Sequence, residues 1–243
     1  MSSLRRTAPV VLPAIGRHTA TVIFCHGLGD TGHGWADTIE QIRRKRRLDE
    51  IKFILPNAPT IPITVNGGYP MPGWFDVKTL GIAAKSLQGR AGQEDAPGIT
   101  VTQEYIHGLI DSEISAGIPS ERIVLGGFSQ GGAMGIFSGL TAKVKLGGIV
   151  ALSSWLLLHQ TFAELVPKGD INKATPILMA HGDSDQVVVY PLAQESEKKL
   201  TSLGYDVNFK TYRGMEHNAC LEELNEVEEF LVSRLPPKGK DEL

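Results

Sequence analysis

Short runs of β-branched apolar residues alternate along the chain with longer segments in which apolar positions recur every three or four residues. The first pattern predicts β-strands and the second predicts amphipathic helices. Because the strands are apolar at both alternating positions, we expect a mostly parallel central sheet with helices on both faces, which is an α/β fold. The predicted strands are 19–25, 51–55, 122–127, 146–152, 176–180 and 207–212, and the predicted helices are 33–46, 100–116, 130–140, 191–203 and 221–235.

No repeat or low-complexity segment divides the 243 residues, so residues 19–235 are predicted to form one domain. Residues 1–18 are predicted to be an N-terminal extension and residues 236–243 a flexible tail. Two stretches break the alternation: 57–79 is rich in proline and glycine, and 87–98 is polar. Long irregular segments above a compact core are often functional. This interpretation is favoured for 57–79, which also carries large apolar side chains, whereas 87–98 is equally consistent with a simple surface excursion.

Composition excludes several classes of partner. Lys and Arg total 24 against 27 Asp and Glu, so the charge balance gives no reason to expect nucleic acid. No apolar run is long enough to span a membrane, and the N-terminus lacks the apolar segment of a secretory signal. The two cysteines, Cys25 and Cys220, are far apart in sequence, which favours a reducing compartment over a disulfide framework.

Two short signals bear on location. Residues 240–243 spell the Lys-Asp-Glu-Leu retrieval signal of the endoplasmic reticulum, but without an entry signal we interpret them as a solvated end. Residues 43–47 form a basic block of nuclear-localisation type, although a solvated helix end is favoured there. The protein is therefore expected to be cytoplasmic, with a nuclear location left open.

A nucleophile motif follows the strand at 122–127. Gly127-Phe128-Ser129-Gln130-Gly131 has the pattern G-x-S-x-G and stands between a predicted strand and a predicted helix. A sharp turn there would project the Ser129 hydroxyl above the sheet edge, and glycines on either side would let strand and helix approach closely. The motif alone is only moderately specific, because a glycine-rich turn with a serine also arises for packing reasons.

A serine hydroxyl needs an adjacent base, and later loops supply candidates. His217 follows the strand at 207–212, and Asp183 and Asp185 follow the strand at 176–180, in the chain order serine, acid, histidine. Asp185 is preferred as the partner of His217 because it lies further along its loop, whereas Asp183 could brace the turn. A metal site is disfavoured, because these residues lack regular ligand spacing.

The glycine-rich segment after the first predicted strand, 26–32, lies where an acyl-transfer enzyme needs a second oxyanion donor. Glycines on either side of Leu28 would let its backbone N–H approach a reacting carbonyl, while the backbone N–H of Gln130 would point from a helix N-terminus. The segment lacks both G-x-G-x-x-G and the phosphate-binding lysine, so it does not indicate a nucleotide site.

Several segments in the same order resemble the acyl-protein thioesterase and lysophospholipase family of α/β-hydrolases, and in particular its fungal type 1 members. The resemblance implies Ser129 as nucleophile, Asp185 as acid and His217 as base, with backbone donors at Leu28 and Gln130 and no cofactor. The matching segments are 24–35 (FCHGLGDTGHGW), 56–59 (PNAP), 71–76 (MPGWFD), 117–133 (GIPSERIVLGGFSQGGA), 152–156 (LSSWL), 181–185 (HGDSD) and 214–217 (GMEH).

The resemblance also implies a substrate. This family removes palmitate and similar acyl groups from cysteines of membrane-associated proteins, including small GTPases and G-protein α subunits, and many members cleave lysophospholipids or small esters. Trp74 and Trp155 fall in segments near the family's acyl-binding surface, although each could equally be a packed aromatic residue. The chain departs from the family at Leu157, Gln186 and Val189, where proline is usual; none of these carries a catalytic atom.

The expected activity is therefore depalmitoylation, with transient contact at a membrane surface. The same three residues would also serve a lysophospholipase or a general carboxylesterase, because acyl-chain fit depends on cavity shape. A catalytically silent binding module on this scaffold is disfavoured by the complete set of serine, aspartate and histidine. The sequence leaves the oligomeric state open.

Overall fold

The computed structural model describes residues 5–238 and has nine strands and seven α-helices in that part of the chain. The strands are β1 Val10–Leu12, β2 Ala20–Cys25, β3 Ile51–Leu55, β4 Thr60–Ile63, β5 Tyr69–Pro72, β6 Ile123–Phe128, β7 Gly148–Leu152, β8 Ile177–Gly182 and β9 Val207–Tyr212. The helices are α1 Gly32–Arg43, α2 Leu87–Arg90, α3 Ala96–Ser115, α4 Gln130–Leu140, α5 Phe162–Leu165, α6 Tyr190–Ser202 and α7 Leu221–Arg234.

Seven strands form one sheet in the order β1-β3-β2-β6-β7-β8-β9. Every neighbouring pair is parallel except β1 with β3. Successive residues of β2 belong to two separate apolar clusters: Ile23 and Cys25 to one, Val22 and Phe24 to the other. The sheet is therefore covered on both faces, and the predicted α/β class with a mostly parallel sheet is confirmed.

Each of the two apolar clusters lies on one face of the sheet. The first face is covered by α3, α4 and α6, which contribute residues such as Ile106, Ile136 and Leu192. The second face is covered by α1 and α7, which contribute residues such as Trp35 and Leu231. Both faces matter for the site, because loops from each converge at the carboxyl edge of the parallel strands.

Three strands, β1, β4 and β5, were not predicted from the sequence. β1 pairs antiparallel with β3 at the sheet edge, so part of the predicted extension 1–18 joins the sheet. β4 and β5 form an antiparallel hairpin within 57–79, a stretch expected to be irregular. In that hairpin Pro62 pairs with Pro70, and prolines lack the N–H donor that a strand normally supplies, which hides the pairing in the sequence.

Two residues of the basic block 43–47 form ion pairs with α7. Lys45 Nζ donates to Glu228 Oε2 at 2.6 Å, and Arg47 pairs with Glu229. The four-residue signal at 240–243 lies outside the described residues. Within residues 5–238, no helix has the length and apolar character needed to cross a bilayer.

Candidate active site

Ser129 stands at a strained turn between β6 and α4. Its backbone has φ 55° and ψ −121°, a positive-φ conformation that a residue with a side chain rarely adopts. Close packing on either side requires glycine: a Cβ on Gly127 would lie 2.4 Å from the Gly131 carbonyl, and one on Gly131 would lie 2.2 Å from the Cys25 carbonyl oxygen. The predicted elbow is therefore present, with Ser129 held at the carboxyl edge of the sheet.

His217, in the loop between β9 and α7, reaches Ser129. Its Nε2 lies 3.0 Å from Ser129 Oγ, and its Nδ1 lies 2.7 Å from Asp185 Oδ2. Three segments far apart in sequence thus form one hydrogen-bonded chain from carboxylate to imidazole to hydroxyl. Such a chain can move the hydroxyl proton to the imidazole while the carboxylate steadies the resulting cation.

Asp185 is buried and accepts several hydrogen bonds. Its Oδ1 accepts the backbone N–H groups of Val187 and Val188 at 2.8 and 2.9 Å, and His181 Nε2 lies 3.3 Å from its Oδ2. Burial alone would raise the pKa of this carboxyl, but hydrogen bonds from His181 and His217 outweigh it and hold the pKa well below its usual range. Asp185 is consequently a fixed anion facing His217.

Asp183 has a different place. Its Oδ1 accepts the backbone N–H of Gly214 at 2.6 Å, which ties the loop after β8 to the loop after β9. The residue is exposed, and within the described chain its carboxylate accepts hydrogen bonds from Gly214 and Ser184 and none from His217. Of the two candidate aspartates, only Asp185 is part of the hydrogen-bonded chain.

The backbone N–H groups of Leu28 and Gln130 are available for an oxyanion. Both residues line the cavity that contains Ser129, and neither N–H donates to any acceptor within residues 5–238. Gln130 is the first residue of α4, so its N–H also lies at the positive end of the helix dipole. The pair can stabilise a negative oxygen that forms beside Ser129.

His26 fixes the peptide that carries the Leu28 N–H. Its Nδ1 donates to the Gly27 carbonyl at 2.7 Å, and its Nε2 accepts the Ala58 N–H at 3.1 Å. Since C=O and N–H point in opposite directions in a trans peptide, anchoring the Gly27 carbonyl aims the Leu28 N–H. Burial lowers the pKa of His26, which favours the neutral ring that this arrangement needs.

A cavity of about 470 Å³ opens above Ser129, which is within the size range of small-molecule sites. Trp155 lines it, as do the apolar side chains of Val77 and Leu80. Trp74 does not: it is buried behind the wall, where its Nε1 donates to the His26 carbonyl at 2.8 Å. The two predicted substrate-binding tryptophans therefore have different positions, one in the wall and one supporting it.

Several lining residues were not predicted. Leu80 and Val187 lie in irregular loops, where neither periodicity nor a motif marks an apolar residue as functional. Trp35 and Phe128 lie within sequence motifs, but only the folded structure shows that their rings are in contact, with centroids 5.5 Å apart and planes inclined at 41°. Within residues 5–238, no three His, Cys, Asp or Glu side chains are grouped to hold a metal ion.

Known proteins resemble this chain over nearly its whole length. Acyl-protein thioesterase 1 of Neurospora crassa is 61% identical over 97% of this chain and 95% of its own length, and that of Gibberella zeae is 58% identical over 96% and 98%. The crystal structure of SOBER1 from Arabidopsis thaliana is 31% identical with a TM-score of 0.80 and covers 90% of this chain and 100% of its own.

Acyl-protein thioesterase 2 of Zea mays is a second structural relative, 31% identical with a TM-score of 0.77 over 93% of this chain and 98% of its own. The sequence profile of the phospholipase and carboxylesterase family matches residues 6–234. Nearly the whole described chain is thus accounted for by one family, as the sequence resemblance implied. The protein is a hydrolase with the α/β-hydrolase fold and belongs to the phospholipase/carboxylesterase family.

Proposed function

We propose that this enzyme is an acyl-protein thioesterase that uses Ser129, His217 and Asp185 to hydrolyse long-chain acyl thioesters of protein cysteines. The observation that carries the proposal is the hydrogen-bonded chain ending at Ser129 Oγ on the floor of an apolar cavity. A nucleophile alone would serve any ester, whereas an apolar wall beside it favours a hydrocarbon chain.

In the first half-reaction, Ser129 Oγ attacks the thioester carbonyl carbon and its proton passes to His217 Nε2. The carbonyl oxygen becomes an anion and is stabilised by the N–H groups of Leu28 and Gln130. The carbon–sulfur bond then breaks, and the departing thiolate takes the proton from His217. The products of this step are a free cysteine thiol and an acyl ester on Ser129.

In the second half-reaction, water attacks the acyl ester and gives a proton to His217. The second tetrahedral intermediate collapses, the bond to Ser129 Oγ breaks, and His217 returns the proton to that oxygen. The fatty acid leaves and the enzyme is restored. No step requires a cofactor, because every proton and electron pair is supplied by the substrate, water and these side chains.

The proposed substrates are S-acylated proteins at membrane surfaces, such as small GTPases and G-protein α subunits. Support comes from the acyl-protein thioesterases with which this chain shares 58–61% identity and from the family resemblance of its motifs. Contact with the membrane would be transient. We place the activity in the cytoplasm, where such cysteines are found; within the basic block 43–47, the candidate nuclear signal, Lys45 and Arg47 are paired with Glu228 and Glu229.

A second candidate is hydrolysis of lysophospholipids or small carboxylic esters by the same residues. The observation that favours it is the family itself, whose description names phospholipases and carboxylesterases. An oxygen ester presents the same carbonyl to Ser129, so the chemistry does not separate the two classes. Discrimination between the two substrate classes must therefore come from how well the cavity fits each leaving group.

The deciding measurement is the rate of hydrolysis of a palmitoyl-cysteine peptide, a lysophospholipid and a short-chain ester by the wild type and by Ser129→Ala. We expect efficient cleavage of the thioester by the wild type and a loss of at least about 10³-fold in kcat for the variant. Cleavage of only the short ester would reduce the assignment to a general esterase. Retained activity in Ser129→Ala would contradict the proposed role of Ser129 as the nucleophile.

A further inference from the structure

The cavity above Ser129 has two apolar walls that belong to different faces of the sheet. One wall is formed by Leu28, Val77, Leu80 and Trp155, which are part of the apolar cluster under α3, α4 and α6 or pack against it. The other wall is formed by Trp35, Phe128, Ala219 and Leu224, which belong to the cluster under α1 and α7 or pack against it. Ser129 lies between them, so a substrate can extend in two directions.

The position of His217 distinguishes the two directions. In the proposed mechanism His217 delivers a proton to the leaving sulfur, so the leaving group must depart beside its ring. The second wall adjoins that ring: the Phe128 ring centroid lies 4.8 Å from that of His217, and Ala219 follows two residues later in the chain. The protein part of an acyl-protein substrate is therefore expected against this wall and the acyl chain against the other.

The polar groups around the cavity agree with this division. Asp30, Thr38 and Asn218 line the cavity together with Trp35 and its neighbours, and the Thr38 hydroxyl has no partner within the described chain. Such groups can bond a peptide backbone, which a hydrocarbon chain cannot use. The side of Val77, Leu80 and Trp155 presents apolar side chains, as an acyl chain requires.

From this geometry we infer that the wall of Trp35, Phe128 and Leu224 is a subsite for an apolar residue next to the acylated cysteine. The inference rests on the proposed function and narrows it: the enzyme selects its protein substrates by the residue that flanks the cysteine as well as by the acyl chain. An aromatic or branched aliphatic side chain fits this wall, since Trp35 and Phe128 present two neighbouring rings with their planes inclined at 41°.

Two peptide pairs test the inference. Each pair carries an octanoyl thioester on one cysteine and has either Phe or Ser at a single flanking position, before the cysteine in one pair and after it in the other. We expect a preference for Phe of about tenfold in kcat/KM at one of the two positions, since burying such a side chain gives discrimination of this order.

Matched variants assign the preference to a wall. Leu224→Ser and Leu80→Ser each remove one partly buried leucine, the first from the inferred subsite and the second from the acyl side. Leu224→Ser is expected to abolish the Phe over Ser preference while the ratio of octanoyl to acetyl rates stays near the wild-type ratio. Leu80→Ser is expected to lower the octanoyl to acetyl ratio and to keep the Phe preference. Thermal melting of both variants checks that they are folded.

The inference is overturned if the wild type does not distinguish Phe from Ser at either position, or if Leu80→Ser removes the preference and Leu224→Ser keeps it. The proposed function fails in a different way, if none of the four acyl-cysteine peptides is cleaved faster by the wild type than by Ser129→Ala. In that case the inferred subsite is also wrong.

Discussion

Both ends of the Gln130 side-chain amide are bonded to the segment that begins at Trp74. Oε1 accepts the Trp74 N–H at 2.9 Å, and Nε2 donates to the Phe75 carbonyl at 2.6 Å. The Trp74 ring in turn donates to the His26 carbonyl. The residue after Ser129 therefore does two things: its backbone N–H is a proposed oxyanion donor, and its buried side chain links α4 through Trp74 to the segment that carries the other donor, Leu28.

Gln130→Met tests this link, because it keeps the backbone N–H and most of the side-chain volume but removes both hydrogen bonds. We expect the free energy of unfolding to fall by about 2–4 kcal/mol, since a buried N–H and a buried carbonyl are left without partners. We also expect kcat to fall with little change in KM. Denaturant unfolding and steady-state kinetics measure the two effects.

Gln103→Met is the matched control. Gln103 donates to Thr141, which lies at the far end of α4 from Ser129. This variant should lose some stability and keep the wild-type kcat. Equal kinetic losses in the two variants would show that the effect of Gln130 is general destabilisation.

His26 is predicted to act as a positioning residue for the Leu28 N–H. His26→Ala removes the donor that anchors the Gly27 carbonyl, so kcat should fall by about 10²-fold, comparable with the loss of one oxyanion donor, while KM changes little. His26→Asn keeps a short N–H donor and should recover part of the loss. If His26→Asn and His26→Ala lose kcat equally and in proportion to their loss of melting temperature, His26 is only structural.

Asp185 and Asp183 provide a comparison within one loop. In Asp185→Asn a neutral amide replaces the carboxylate that accepts the His217 Nδ1–H. The amide cannot stabilise the imidazolium cation, so kcat should fall by about 10³–10⁴-fold at pH 7. Asp183→Asn keeps an oxygen for the Gly214 N–H and should cost less than about tenfold. Steady-state rates on the same thioester measure both. A larger loss in Asp183→Asn would reverse the assignment.

The candidate site residues also show what can and cannot be predicted from the sequence. Ser129, Asp185 and His217 could be proposed as a group because each follows a predicted strand, and the carboxyl ends of parallel strands meet at one edge. The role of Gln130 as a link to Trp74 could not, because it depends on a contact between residues 56 positions apart with no periodic signal.

The same limit explains the fold elements that were missed. β1 is a three-residue strand at the sheet edge, too short for a pattern, and the β4–β5 hairpin is masked by its paired prolines. The inner strands, by contrast, are apolar on both faces and were predicted to within a few residues. The local pattern of apolar residues thus identified the strands that are buried on both faces. The edge strand and the hairpin depend on tertiary contacts that this pattern does not contain.

Glu223 gives the protein a predictable dependence of stability on pH. It lies in the first turn of α7, is fully buried, and neither carboxyl oxygen has a partner within the described chain. Burial raises the pKa of Glu223 to about 8, so the folded protein holds this group as a neutral acid at pH 7. The nearby Tyr212 hydroxyl is also unpartnered, and its pKa is raised by burial and by the charge of Glu223.

In the unfolded chain Glu223 loses its proton near pH 4.5, whereas in the folded protein it keeps it up to about pH 8. Its contribution to stability is therefore fully present below pH 4.5 and is lost as the pH rises to about 8. Glu223→Gln removes this titration, so we expect it to match the wild type at pH 4.5 and to be more stable by roughly 2–4 kcal/mol at pH 8.5. Urea unfolding across this range measures the difference, and Glu222→Gln, at the exposed neighbouring position, should show no such gain. If the difference in unfolding free energy between Glu223→Gln and the wild type stays constant between pH 4.5 and 8.5, the prediction is wrong. Glu223 would then be ionised in the folded protein over this range.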